Sequence, residues 1–526
     1  MDRIAGQIPG SRELAMRVLW WIAFTTRPLT TLELQHALAV EVGEREIDEE
    51  NLPEIEDMVS VCAGLVTVDE ESGTIRLVHY TTQEYFERTR IEWFPDAQTD
   101  IAITCVTYLS FDTFDTGFCQ TNEELESRLE LNLLYDYAVR NWGHHAHTAP
   151  PELELLINDL FESEAKVSSC SQAMMAEKHR GYWDCRYSQI VPRNMTGAHL
   201  AAYFGLRNVM LALLKNGHDL GLSDSHRRTP LLLAAESGHK AAVELLLTQA
   251  GVDPDPKDNF GQTPLSLAAQ YGHETVVKLL LAQAGVDPDS RDNFGQTPLS
   301  RAARDGHKAV VELLLTQDGV DPDSKSKLGR TPLSAAAEYG REAVVKLLLA
   351  QDGVDPDSRD KFGQTSLLRA ARDGHKAVVE LLLAHDGVNP DSKDNSGRTP
   401  LSVAAEYGHE AVVKLLLAQA GVDPDSRDKG QRTPLSWAAG NEHGAVVELL
   451  LAQRGVGPDS RDDFGQTPLS WAARDGHKAV VELLLAQDGV DPDSKSNSGW
   501  TPLSWAAKNE HEAVVKLLQS RSGMTS

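Results

Sequence analysis

A single unit recurs in phase over the last two-thirds of this chain, and that period constrains the fold more than any other feature. The threonine that opens each copy falls at Thr229, Thr263, Thr297, Thr331, Thr365, Thr399, Thr433, Thr467 and Thr501, a constant step of thirty-four. A degraded copy, MTGAHLAAYFGLRNVMLALLKNGHDL, puts Thr196 one further step upstream, shorter by one, and brings the number of units to ten. One unit of this size cannot bury its apolar face by itself. Stacked units can, so the period predicts a solenoid in which each repeat packs only on its neighbours, and the segment 193–526 is expected to fold alone.

Within a unit the residues spell out two short helices and a finger. Thr is a good N-cap, and Pro sits at the first helical position, where a missing N–H costs nothing. The Ala-Ala pair (Ala268–Ala269 and its equivalents) keeps one helix face thin. Gly-His, as in Gly272–His273, turns the chain, the glycine taking the left-handed conformation. AVVKLLLAQ is a second helix with its apolar residues toward the neighbouring repeat, and GVDPDSRDNFGQ is a turn-rich finger. The unit TPLSLAAQYGHETVVKLLLAQAGVDPDSRD resembles the ankyrin repeat, over roughly residues 193–520. There are departures. The family's His after TPL is Ser here (Ser266, Ser300, Ser334), which removes a familiar side-chain hydrogen bond. The unit is longer by one than the family's usual length of about 33 residues. The Thr365 copy reads TSL and lacks the proline. Glu442 and Glu510 replace the turn glycine, so local strain or slack is expected there. The last copy ends LLQSRSGMTS, polar residues that would close the stack, and residues 196–220 would close its other end.

A second period lies inside the first. The residue after the turn and the one four later run Lys240/Glu244, Glu274/Lys278, Lys308/Glu312, Glu342/Lys346, Lys376/Glu380 and Glu410/Lys414, inverting at each repeat. After a break at Gly444/Glu448 the alternation resumes with Lys478/Glu482 and Glu512/Lys516. Duplication of a pair of repeats explains its origin. A ladder of opposite charges between stacked neighbours would make it tolerable, at about 0.2–0.5 kcal/mol per exposed pair.

Copies within one chain can also be compared with each other. The residue after TPLS is Leu267, Arg301, Ala335, Val403, Trp437, Trp471 or Trp505, with Arg369 in the TSLL copy. The pair before the turn varies from Gln270–Tyr271 through Arg304–Asp305, Glu338–Tyr339, Arg372–Asp373 and Glu406–Tyr407 to Arg474–Asp475, and finger tips carry Phe260, Phe294, Leu328, Phe362, Phe464 and Trp500. The resemblance places these positions along the fingers and the concave groove, where aromatics and arginine are the residue types of interface hot spots. Packing on neighbouring fingers is the other reading, for the phenylalanines above all. The partner-binding candidates are Phe260, Leu267, Tyr271, Phe294, Arg301, Arg304, Tyr339, Phe362, Arg372, Tyr407, Trp437, Phe464, Trp471, Arg474, Trp500 and Trp505. Trp437, Trp471 and Trp505 are expected to form one exposed apolar stripe.

The N-terminal third has another grammar. RELAMRVLWWIAFTT is amphipathic, Thr30 and Glu33 form a capping box for TLELQHALAVE, NLPEIEDMVSVCAG ends at Gly64, and LVTVDEESGTIRLVHY alternates as a hairpin. Three helices and a wing make a winged helix over 1–95, followed by a helical linker over 96–190. RPLTTLELQHALAVEVGE through EDMVSVCAGLVTVDEESGTIRLVHYTTQEYF resembles the segment after the nucleotide-binding core of fungal NACHT–ankyrin proteins, relatives of NOD-like receptors. LLYDYAVRNWGHHA is similar to their helical linker. The resemblance implies the ligand-sensing half of an innate-immunity or incompatibility receptor. No G-x-x-x-x-G-K-[ST] loop occurs in the sequence, so the NTPase or effector is expected on a separately encoded chain, unless the sequence is a natural fragment or a truncated gene model.

Composition excludes several classes. Net charge is −28; residues 1–190 hold 34 acidic and 14 basic side chains, leaving 44 and 36 for the remainder. Such a surface repels duplex nucleic acid and anionic lipid, so neither is expected as partner. A nucleic-acid-associated regulator, with the winged helix on DNA and the repeats recruiting co-regulators, is the alternative. Cys62, Cys105, Cys119, Cys170 and Cys185 are irregularly spaced and read as free thiols of a cytoplasmic protein. His144, His145 and His147 lack a second ligand group for a metal, and D-P-D-x-x-D lacks the closing glutamate of a calcium loop. With no nucleophile elbow, HExxH or carboxylate pair in a recognisable frame, no enzyme activity, metal or cofactor is expected. The expectation is a mainly α-helical protein, an ankyrin solenoid of about ten repeats behind a winged helix and linker, that binds a protein partner.

Overall fold

Every repeat closes into two short helices by the same local chemistry, as in Pro264–Gln270 and Glu274–Leu281. The Thr263 hydroxyl accepts from the Ser266 N–H at 3.2 Å, and the Ser266 hydroxyl accepts from the Thr263 N–H at 2.9 Å. Serine therefore keeps the capping box, and the side-chain hydrogen bond expected to be lost is the one to the next repeat. What it forgoes is reach. His199, in the degraded copy, holds the Thr196 N–H at 3.1 Å with one ring nitrogen and bonds the Arg228 carbonyl of the next repeat at 3.0 Å with the other. Without its proline, Ser366–Arg372 is still a helix, started by the Thr365 hydroxyl on the Leu368 N–H at 3.2 Å. Ten such helix pairs follow one another from Gly197 to Ser522, in a computed structural model that describes residues 1–148, 150–176 and 186–522.

The turn glycine is required twice over. Gly272 has φ +77°, and a Cβ there would lie 2.4 Å from Nδ1 of His307 in the next repeat. That imidazole donates through Nε2 to the Gln270 carbonyl at 2.9 Å, and the bond recurs from His375 to Glu338 and from His409 to Arg372. Arg341 stands where the others have histidine and donates through Nε to the Arg304 carbonyl at 3.0 Å. Glu442 and Glu510 adopt the same left-handed backbone at φ 64° and 62°, where their Cβ atoms are unfavourable. Gln431, at φ 59°, stands where the fingers from Gly261 onward otherwise carry glycine, as Arg227 does at φ 60° one finger before Gly261, and neither was foreseen. Glu442→Gly and Gln431→Gly should each raise the urea midpoint, by about 0.5–1 kcal/mol of stability, the relieved Cβ crowding outweighing glycine's chain entropy. A lowered midpoint for either would mean that the strain is not there.

Two units divide the chain. The second, Phe260–Leu281 with Asp287–Ser526, holds eight repeats. Their outer helices bury Val276, Val277 and Leu280 and the equivalents of these, while Leu265, Ala268 and Ala269 are sealed beneath the inner helices. The fingers join in a backbone ladder: Asn293 donates to the Phe260 carbonyl at 2.8 Å, Lys327 to Phe294 at 2.8 Å, and Asn395 to Phe362 at 2.9 Å. The alternating charges close within single helices as i,i+4 pairs, Lys308–Glu312 at 3.0 Å and Lys376–Glu380 at 3.2 Å among them, so the expected ladder between neighbours is not how these pairs are made.

The first unit, Met1–Asn259 with Ala282–Val286, holds the N-terminal third and two repeats. Helices Pro9–Phe24, Thr31–Ala39 and Ile55–Val61 precede strands β1 (Val66–Asp69) and β2 (Thr74–Leu77), paired antiparallel with Val66 opposite Leu77. The Thr30–Glu33 capping box is present, and Thr30 bridges to Thr74, so the chain ahead of that helix extends the wing. Five linker helices follow between Ala97 and Met175. They cover the first repeat: Trp142 meets Phe204 edge-on at 5.0 Å, and a Cβ on Gly197 would strike the Phe161 ring at 2.5 Å. Residues 196–220 are thus a joint with the linker, and the expectation of a free-standing end cap is corrected. At the other end, 523–526 of the polar tail lie outside the described residues, as does Cys185. Cys62, Cys105, Cys119 and Cys170 are free and buried, and burial pushes the Cys62 and Cys170 thiols up to about 12.

Candidate partner-binding surface

In the Arg301, Arg369, Trp437 and Trp471 copies the variable position answers to a position nine residues earlier, in the finger, whereas the Trp505 indole N–H lies buried without a partner among the described residues. Asp292 accepts backbone N–H bonds from Phe294 and Gln296 through one oxygen, both at 2.8 Å, and holds Arg301 with the other at 2.5 Å. Asp360 does the same with Phe362, Gln364 and Arg369. Where the partner is tryptophan its indole N–H serves instead: Trp437 Nε1 donates to Asp428 at 3.1 Å and Trp471 Nε1 to Asp462 at 2.9 Å. Where the finger has Ser326 in place of Asp, the position is Ala335; where Asp394 is already met by Arg398 at 3.0 Å, it is Val403. A buried carboxylate needs a donor, so its partner changes with it.

This corrects three of the sequence-based candidates. Leu267, Arg301 and Trp471 are buried, Trp471 to 8% exposure, and they fill the space between successive inner helices. Trp471 lies between two guanidiniums, Arg432 at 3.7 Å and Arg474 at 4.0 Å from its ring centre. Trp437 and Trp505 are half-buried, and Trp505 stacks on Trp500 at 5.0 Å with Lys508 over both rings. The expected apolar stripe of three tryptophans is therefore not an open surface.

What stands in solvent is the row at the inner-helix ends and the finger tips. Tyr271, Tyr339 and Tyr407 are 48%, 48% and 51% exposed, one in every second repeat. Phe260, Phe294, Phe362 and Phe464 are exposed at the tips. Arg304, Arg372 and Arg474 are half-buried and grip their neighbours Asp305, Asp373 and Asp475, an ion pairing that pushes Arg304 and Arg372 further into the charged form.

Against known families, the model described as ankyrin repeats (3 copies) matches residues 198–292, 277–360, 352–428 and 435–525. The chain belongs to the ankyrin-repeat family. Residues 1–115 match the model described as GPI inositol-deacylase, winged helix domain, in agreement with the three helices and hairpin found there. No curated protein matches the chain.

The ankyrin groove also holds residues that sequence reasoning passed over. Glu338 is a hub for three guanidiniums, Arg330 at 3.1 Å in its own repeat and Arg369 at 2.8 Å and Arg372 at 3.1 Å in the next. Arg398–Glu406 repeats the first of these pairs at 3.2 Å. The signal was available in the sequence as paired changes among the copies, at the fixed offsets that separate Glu338 from its arginines and Asp360 from Arg369. In the linker, His145 is a core group: its ring nitrogens meet the Tyr137 hydroxyl at 2.8 Å and Gln98 at 2.6 Å, and burial lowers its pKa to about 4. Asp287 accepts from the Asp289 N–H at 3.0 Å, the turn role that D-P-D-x-x-D suggested. No helix among the described residues is long and apolar enough to cross a membrane.

Proposed function

We propose that this chain is a non-catalytic recognition protein whose groove takes a protein partner. In that reading the winged helix and linker pass occupancy to a separately encoded nucleotide-binding chain, in the manner of a fungal NACHT-type receptor. Ankyrin repeats are protein-binding scaffolds, and the observation that carries the reading here is the row of Tyr271, Tyr339 and Tyr407. Three half-exposed tyrosines in alternate repeats, with Arg304 and Arg372 between them, present rigid amphipathic rings of the kind that anchor interfaces. The acidic N-terminal third favours a protein over DNA as its own contact, and buried thiols suit a reducing cytoplasm.

The triple change Tyr271→Ser, Tyr339→Ser, Tyr407→Ser should weaken retention of a protein partner from extracts of the source organism by tenfold or more. Stability should fall by less than about 1 kcal/mol for each change, as is usual at surface positions. Equal retention by both forms would remove the tyrosine row from the proposal. A salt-dependent shift of duplex DNA by the wild-type chain would instead favour the nucleic-acid alternative. The purified chain should turn over neither ATP nor GTP above blank, since the phosphate loop is missing from its sequence.

A further inference from the structure

Where Glu236, Glu338 and Glu406 place a carboxylate in the groove, one repeat has only a glycine. Around Glu338 the three guanidiniums stand at fixed sequence offsets, Arg330 before it in the same repeat and Arg369 and Arg372 after it in the next. Applied to position 440, the same offsets give Arg432, Trp471 and Arg474. Two of the three guanidiniums are thus in place, and the third position is the tryptophan that lies between them. Residue 440 itself is glycine.

Arg432 shows what the substitution leaves behind. The guanidiniums of Arg330 and Arg398 each meet a glutamate eight residues on, whereas that of Arg432 makes no hydrogen bond among the described residues. Its nearest carboxylate, Asp462, is 3.8 Å from Nε and already accepts from Phe464, Gln466 and the Trp471 indole. Arg432 covers the faces of Trp437 at 4.5 Å and Trp471 at 3.7 Å, which holds the cation in position without neutralising it. Burial and the like charge of Arg474 press on its protonated form, while Asp462, Asp428 and Glu406 support it. There is room, too: a Cβ on Gly440 would touch Trp471 only at an ordinary 3.6 Å.

We propose that the notch over Gly440, between Arg432 and Arg474, is a carboxylate-binding site filled by an acidic side chain of the partner protein. The inference rests on the reading of the array as a protein-recognition surface and names the chemistry that one point of that surface selects. A guest carboxylate takes the place that Glu338 and Glu406 fill from within and accepts from the two guanidiniums at the edge of the indole between them. A chain of net charge −28 repels acidic peptides in general, so an acidic group held here is held by the notch.

The test uses the full chain and a blocked tri-glutamate peptide, with blocked tri-glutamine as its neutral twin. By isothermal titration at low salt, tri-glutamate should bind at least tenfold more tightly. Arg432→Gln should abolish that preference, and so should Gly440→Glu, which supplies the carboxylate from within. Without any peptide, Gly440→Glu should melt about 2 °C or more above Gly440→Gln, which has the same length and similar helix propensity. Adding Arg432→Gln should erase that difference. Equal binding of the two peptides, a preference that survives Gly440→Glu, or equal melting of the Glu and Gln variants would each overturn the proposal. The melting comparison involves no partner. A notch that behaves as stated in an array that retains no protein from extracts would leave the site standing and count against the function alone.

Discussion

Trp471→Ala should destabilise the array by about 3–5 kcal/mol, the usual range for removing a large buried aromatic. The side chain is 8% exposed, its indole N–H is a donor to the buried Asp462, and its two faces carry Arg432 and Arg474. Truncation opens a cavity between two inner helices and takes a hydrogen bond from a carboxylate that has no access to water. Trp471→Phe separates the two losses: it keeps most of the ring and should cost about 1–3 kcal/mol, the penalty of the unpaired acceptor. Urea unfolding of the full chain, followed by the helical signal, reads both. A loss under about 1 kcal/mol for the alanine variant would put the ring back on the surface, where the sequence reading had it.

Arg369→Ala should be as damaging, at about 3–5 kcal/mol, because it strands buried charge. Arg369 is fully buried, with Asp360 on one nitrogen and Glu338 on another. Removing it leaves Asp360, itself 1% exposed at the side chain, with only its two backbone donors. The chain suggests its own rescue. Elsewhere the pair is Ser326 and Ala335, and the Ser326 hydroxyl takes the Arg330 N–H at 3.1 Å in the carboxylate's stead. Asp360→Ser with Arg369→Ala should therefore recover about 2 kcal/mol or more of the single variant's loss, a coupling within the range of residues that share one network. Additive losses would show that the two positions vary independently and that their pairing among the copies has no energetic basis.

The paired repeats and the wing were legible in the sequence because they rest on local rules. A cap, a proline and a turn glycine act within a few residues, and a constant period leaves no freedom in how they stack. Thr30 and Glu33 announced their box, and the alternation over every two repeats announced the charge pairs. The candidate surface was half legible. Tyr271, Tyr339 and Tyr407 vary and are exposed; Leu267, Arg301 and Trp471 vary and are buried. Sequence variation by itself cannot separate a residue that answers to solvent from one that answers to a finger aspartate nine residues away. Treating positions singly hid that aspartate, and it hid Arg432, whose meaning depends on a glycine eight residues later. Glu442 was flagged because a glycine had visibly gone; Gln431 was missed because its glycine had moved by one residue to Gly430.

The clamp on Glu338 sets how an array like this can lengthen or shorten by recombination. Copying the Glu338 repeat alone would place a second glutamate opposite the first, where Arg372 now stands, and an alanine where Arg369 reaches across. Copying the Glu338 and Arg372 repeats together gives each copy of Glu338 its two arginines. Loss follows the same parity: excising the Arg372 repeat alone would set Glu338 against Glu406 and Val403. Around Glu338, a crossover in register by one repeat preserves the fold's geometry and leaves a half-buried carboxylate without the cations of the next repeat; a crossover by two preserves both. The step that keeps the clamp there is two repeats, and the out-of-phase step of the array, at Gly444/Glu448, falls where no such clamp stands.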